Sequence, residues 1–161
     1  MARRLYFVRH GRADRDAWDG PDHLRPLTPA GRRRLERQAA AMADLDLGVD
    51  LILCSPLVRA RQTADVLAAA LAPAGGVVQD ARLGFGFDPL RLAELLATHP
   101  QASRPLLVGH EPSFSQVVGE IVGGARLTCR KASLIRVDLH TEDPPCGTLE
   151  WSVPPGILAG R

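Results

Sequence analysis

The chain has 161 residues, 45% of them hydrophobic and 24% charged, with a formal net charge of +2. That length suits one compact domain, 1–161, with a full core, and the charge balance excludes a strongly basic chain. No apolar run approaches the ~20 residues of a membrane span, and the run after the basic Met1-Ala2-Arg3-Arg4 is too short for a signal peptide. A cytoplasmic protein without membrane contact is expected.

In chain order, Leu5-Tyr6-Phe7-Val8 is a short apolar run that stops at Arg9-His10-Gly11. Such a run, bounded by a turn former, reads as a buried strand with a polar pair at its carboxyl end. Arg12 to Pro26 is polar and without periodicity, so it reads as a long loop that can fold over a site. Thr28-Pro29 is a helix start, with threonine as N-cap and proline at the first helical position. Leu35, Ala39 and Met42 follow at helical spacing, and Arg32, Arg33, Arg34 and Arg37 cover the other faces. A solvated helix face explains this arginine run better than a nucleic-acid surface, because no aromatic residues interleave for base stacking.

Leu51-Ile52-Leu53-Cys54 reads as a second strand, and Ser55-Pro56 repeats the cap-plus-proline start. Ala60, Ala64, Leu67 and Leu71 then form a helical stripe. Arg59 falls in the first turn of that helix, where positive charge opposes the helix dipole. An anion bound at the helix N-terminus would account for it. Val77-Val78 is a short strand candidate, and Arg82 to Phe87 a flexible segment. Asp88-Pro89 starts a helix carrying Leu92, Leu95 and Leu96. Leu106-Leu107-Val108-Gly109-His110 repeats the grammar of the first strand, and Glu111-Pro112 opens a helix closed by Gly123-Gly124. Ser133 to Leu139 alternates in polarity, Glu142 to Gly147 reads as a turn, and Thr148 to Val153 as a last strand. The expected fold is α/β: a three-layer α/β/α sandwich with a mainly parallel central sheet and a C-terminal antiparallel hairpin.

These elements place His10 and His110 at the ends of neighbouring parallel strands, facing one phosphoryl group that Arg9 holds. A phosphoryl group needs donors for its oxygens and a nucleophile in line with the leaving atom. Neutral imidazole can serve as that nucleophile when one nitrogen is fixed by an acceptor and the other is free. Gly11 is expected to let the backbone pass close to the ligand, and Arg25 either binds substrate or pairs with Asp22. His23, His99 and His140 read as surface residues. Cys54, Cys129 and Cys146 are odd in number and contain no C-x-x-C pair, so they signal neither a disulfide framework nor a zinc site. Cys54 with Arg59 is one residue short of the cysteine phosphatase spacing, and no phosphate-cradling glycines lie between them.

Three motifs in this order carry a resemblance: Arg9-His10-Gly11 after its strand, Ser55-Pro56-Leu57-Val58-Arg59-Ala60-Arg61-Gln62-Thr63-Ala64, and Val108-Gly109-His110-Glu111-Pro112. Together with Arg25-Pro26-Leu27-Thr28-Pro29-Ala30-Gly31 they resemble the histidine phosphatase superfamily, over about Leu5 to Pro154. The short length resembles the SixA-type phosphohistidine phosphatases. The resemblance implies that His10 is phosphorylated and then hydrolysed by water. It also implies that Arg9, Arg59 and His110 bind the phosphoryl oxygens, with His110 as a cation. Gly11, Arg25 and Glu111 are expected at the substrate. No metal and no cofactor are implied. The partner is a phosphorylated protein or a small phosphorylated molecule, not nucleic acid.

One departure narrows the substrate. Many family members carry a glutamate general acid in the segment occupied here by Asp80 to Pro89, where Arg82 follows Asp80-Ala81. Asp80, Asp88 and Glu111 are the nearest acids. A missing acid favours an easy leaving group, such as the imidazole of phosphohistidine. Small phosphate esters, or binding of a phosphorylated ligand without turnover, are the alternatives.

Overall fold

The structure is a computed structural model that describes residues 3–160. Met1 and Ala2 of the basic N-terminal stretch, and Arg161, lie outside the described residues. Six strands form one sheet: β1 (Arg4–Arg9), β2 (Leu51–Cys54), β3 (Val77–Gln79), β4 (Pro105–Gly109), β5 (Leu134–Glu142) and β6 (Pro145–Val153), in the order β3-β2-β4-β1-β5-β6. The first four are parallel to one another, whereas β5 is antiparallel to β1 and β6 to β5. The expected architecture is therefore the observed one.

Parallel strands covered on both faces read as continuous apolar runs, and β1 shows why. Leu5 and Phe7 point to one core, packed with Leu53, Leu107, Phe114 and Ile135; Tyr6 and Val8 point to the other, packed with Leu35, Ile52, Ala64 and Leu134. Each such side chain contributes roughly 1.5–3 kcal/mol by leaving water. Helices α1 (Pro29–Asp44) and α2 (Val58–Leu71) cover the second face with the short α5 (Pro155–Leu158), while α3 (Pro89–Thr98) and α4 (Ser113–Ile121) cover the first. None of these helices is long and apolar enough to cross a membrane.

Local chemistry sets most of the boundaries. Thr28 accepts from the Gly31 amide at 2.9 Å to cap α1, and Asp88 accepts from the Arg91 amide at 2.8 Å to cap α3. Arg32, Arg33, Arg34 and Arg37 are all exposed on α1.

Three expectations are corrected. Helix α2 starts at Val58 with Leu57 at its N-cap and no side-chain cap; Ser55 instead turns its hydroxyl toward His110. The hairpin turn shrinks to Asp143-Pro144, because β5 runs on to Glu142 and β6 begins at Pro145. Arg82 to Phe87 is anchored rather than loose: Leu83 closes a 3-10 turn over Ala81–Leu83, and both Leu83 and Phe87 are buried, leaving Phe85 outside.

Candidate active site

Parallel pairing of β1 with β4 aligns Arg9 with Gly109 and brings the two following histidines side by side. The His10 amide donates to the Gly109 carbonyl at 3.1 Å, so the register persists one residue beyond the strands. The imidazole ring centroids lie 5.3 Å apart. This is the carboxyl end of the parallel strands, where open α/β sheets hold ligands. A cavity of about 510 Å³ opens there, lined by Arg9, His10, Arg25, Arg59, Phe85, His110 and Glu111 among others. All the sequence-predicted site residues except Gly11 thus meet at one cavity.

His10 is held in one orientation. Its Nδ1–H donates to the Gly11 carbonyl at 2.7 Å, which leaves Nε2 unprotonated and able to accept from Arg59. That nitrogen lies 3.4 Å from Arg59 Nε. Burial, the neighbouring His110 and the guanidiniums of Arg59 and Arg9 push the His10 pKa down to about 3, partly offset by its bond to the Gly11 carbonyl. At neutral pH the ring is therefore a neutral base with its lone pair on Nε2, which is the form a nucleophile needs.

Gly11 does not line this cavity but an adjoining one. A Cβ there would meet Leu27 Cδ2 at 3.2 Å and Leu35 Cδ2 at 3.5 Å. The glycine packs closely against α1 and the chain before it, where an added methyl group would press on Leu27. Its polar groups position His10: the carbonyl accepts from the ring, and the amide donates to Thr63 Oγ1 at 3.0 Å. Thr63 in turn donates to the Arg59 carbonyl at 2.7 Å, so one hydroxyl ties the His10 loop to the first turn of α2.

Arg59 is 2% exposed, and its head group donates to the Asp22 carbonyl at 2.9 Å and to Asp22 Oδ2 at 3.1 Å. Arg25 also pairs with Asp22, at 3.0 Å, and donates to the Ala13 carbonyl. Arg25 thus pairs with Asp22, as one reading expected, and also lines the cavity. Asp22 offsets the charge of two buried guanidiniums.

The surroundings of His110 favour its neutral form. Burial, with Arg59 next in weight, lowers its pKa to about 4. Its Nε2 lies 2.7 Å from Ser55 Oγ, and its Nδ1 is buried without a partner. Ser55 Oγ accepts from the Leu57 amide at 3.3 Å, so its proton is available for Nε2 and the ring proton belongs on Nδ1. Arg9 Nε is likewise buried and unpartnered, while its Nη1 donates to the Cys129 carbonyl at 3.2 Å. Buried polar groups without partners are uncommon. Two groups of this kind, Arg9 Nε and His110 Nδ1, belong to residues of one cavity wall.

Asp14 and Asp16 line the cavity, Asp14 paired with Arg12, while the three acids named from the sequence behave as structural groups. Glu111 accepts from the Ser115 amide and hydroxyl at 2.9 and 2.6 Å, which caps α4. Asp80 is engaged by Arg82 at 2.6 Å and Asp88 caps α3, and neither lines the cavity. Phe85 fills the wall in that segment, with its ring centroid 5.1 Å from that of His110. Phe85, Lys131 and the second role of Asp22 escaped the sequence reading. Only Gly84-Phe85-Gly86, an aromatic between glycines, hinted at an exposed ring. Cys54 and Cys129 are buried, and desolvation raises both thiols to about 11, which makes them poor nucleophiles. Among the described residues, no group of three His, Cys, Asp or Glu side chains gathers closely enough to hold a metal ion.

The model of the histidine phosphatase superfamily (branch 1) matches residues 5–84. An uncharacterized protein of Picosynechococcus sp. is 38% identical over 151 residues, which cover 86% of this chain and 91% of that protein. Among solved structures, the protein histidine phosphatase SixA complexed with tungstate superposes with a TM-score of 0.83 at 24% identity, covering 94% of this chain and 97% of that one. A mycobacterial glucosyl-3-phosphoglycerate phosphatase complexed with VO3 gives 0.73 at 19% identity, with 95% and 100% covered.

Proposed function

Because the chain belongs to the histidine phosphatase superfamily, we propose that it removes a phosphoryl group from phosphohistidine or another phosphoramidate through a covalent intermediate on His10. In the first step the Nε2 lone pair of His10 attacks phosphorus, and the bond from phosphorus to the leaving nitrogen breaks with its electrons. In the second, water attacks the phosphorylated His10, the P–Nε2 bond breaks, and phosphate departs. Arg9, Arg59 and His110 hold the equatorial oxygens, and donors fixed in advance in a dry site are worth most in the transition state. A phosphoryl dianion raises the pKa of His110, so that ring gains its proton as the anion binds. The positive groups already present supply the neutralisation a metal would otherwise give.

The observation that carries this reading is the locked tautomer of His10, with Nδ1 bonded to Gly11 and Nε2 beside Arg59. The leaving-group preference rests on the acids: Asp80 and Asp88 are absent from the cavity wall, Glu111 is committed to Ser115 and Asp14 to Arg12, which leaves Asp16 as the acid on the wall outside such a pair. A panel comparing a phosphohistidine peptide, phosphoramidate and alkyl phosphates, with and without EDTA, tests it. Phosphoramidates should be turned over far faster than alkyl esters, and EDTA should change nothing. Preferred turnover of alkyl esters, or dependence on added metal, would overturn it.

A further inference from the structure

A second cavity, of about 630 Å³, adjoins the first and shares Arg9, Arg12 and Lys131 with it. Its other cations are Arg34 and Arg37 from α1 and Arg130 from the turn before β5, and no acidic residue lines it. Arg12 is matched by Asp14 at 2.9 Å. The side chains of Arg34, Arg37, Arg130 and Lys131 form no hydrogen bond or ion pair among the described residues. Elsewhere on α1, Arg32 is answered by Glu36 at 3.5 Å. The molecule as a whole carries a net charge of only +2, so this concentration is local.

We propose that this second cavity binds acidic side chains flanking the phosphorylated residue of a protein substrate. The inference rests on the phosphatase reading and extends it from the reacting group to the partner that carries it. Continuity matters most: with the phosphoryl group at His10, a chain leaving the first cavity past Arg9 and Lys131 enters the second. One anion satisfies Arg9 and Arg59, but it leaves Arg34, Arg37 and Arg130 unanswered. Several carboxylates spaced along a peptide match cations contributed by α1 and the turn before β5. Fixed positive charge in a cleft also raises the encounter rate with such a segment.

The experiment compares two phosphohistidine peptides, one flanked on both sides by glutamates and one by glutamines, on the wild type and on the triple variant Arg34→Gln, Arg37→Gln, Arg130→Gln. All three arginines are exposed, and unchanged turnover of phosphoramidate verifies the variant's fold and chemistry. The wild type should prefer the glutamate peptide about tenfold in kcat/KM at low salt, through KM, with the preference fading as salt rises. The triple variant should lose that preference. Equal turnover of both peptides by the wild type, or an undiminished preference in the variant, would overturn the proposal. So would displacement of the glutamate peptide by a DNA oligonucleotide at lower concentration than by poly-glutamate. If neither peptide is hydrolysed, the phosphatase reading fails on its own. Fluorescence anisotropy of the unphosphorylated glutamate peptide then decides the subsite: weaker binding to the variant upholds it, and equal binding to both proteins overturns it.

Discussion

At the scale of single residues, His10 and Arg59 show how burial selects a chemical form. An imidazole surrounded by guanidiniums and apolar packing cannot keep a second proton, and its pKa falls to about 3. Arg59, a guanidinium that stays charged at any ordinary pH, has the Asp22 carboxylate facing it at 3.1 Å. Removing Arg59 deletes the buried donor nearest His10 Nε2. Arg59→Ala should weaken vanadate inhibition by about 2 kcal/mol or more, over tenfold, and unchanged inhibition would remove Arg59 from the anion site. His110 provides a second prediction. Its pKa is about 4 without ligand, and a bound dianion raises it. Tungstate binding at pH 6 should therefore take up a proton, measured as a dependence of the binding heat on the buffer's ionisation enthalpy. Binding without proton uptake would mean that His110 does not hold the anion.

At the scale of elements, the site is a junction of strand ends and helix starts. The ends of β1 and β4 were legible because apolar runs broken by Arg-His-Gly and Gly-His are visible in the sequence. The caps at Thr28 and Asp88 were legible because capping is local. The start of α2 was misread because Ser55-Pro56 has the composition of a cap while Ser55 is recruited by His110, 55 positions away. The tie from Gly11 to Thr63 was invisible for the same reason: its partners are 52 positions apart. Thr63→Val should leave the Gly11 amide buried and unpaired, which costs about 1–3 kcal/mol. It should also lower kcat more than it changes KM, since the loop that orients His10 is freed. Thr63→Ser should restore both. Chemical denaturation and steady-state kinetics check this, and full activity in Thr63→Val would show that the tie has no positioning role.

At the scale of the whole molecule, two neutral buried histidines make folding depend on pH. Above pH 6.5 neither state binds a proton at His10 or His110. Between 6.5 and about 3 to 4 the unfolded chain takes up protons that the folded chain refuses, so stability falls as the pH falls. Asp80 and Asp138, held below the usual carboxylate range by Arg82 and Arg136, add to the loss only at lower pH. Denaturant midpoints between pH 7.5 and 4.5 should therefore drop in the wild type and stay flatter in a His10→Asn, His110→Asn variant. Equal slopes would show that the pair is not the source. On the proposed mechanism the same pair also defines the chemistry, because one phosphoryl group is bonded to His10 midway through the reaction. The most direct test is an alkaline quench during turnover of phosphoramidate, followed by mass spectrometry of the intact chain and its peptides. A single added phosphoryl group on the peptide containing His10, absent from His10→Ala along with all turnover, is the predicted result. A phosphoryl group on another residue, or near-normal turnover by His10→Ala, would contradict it.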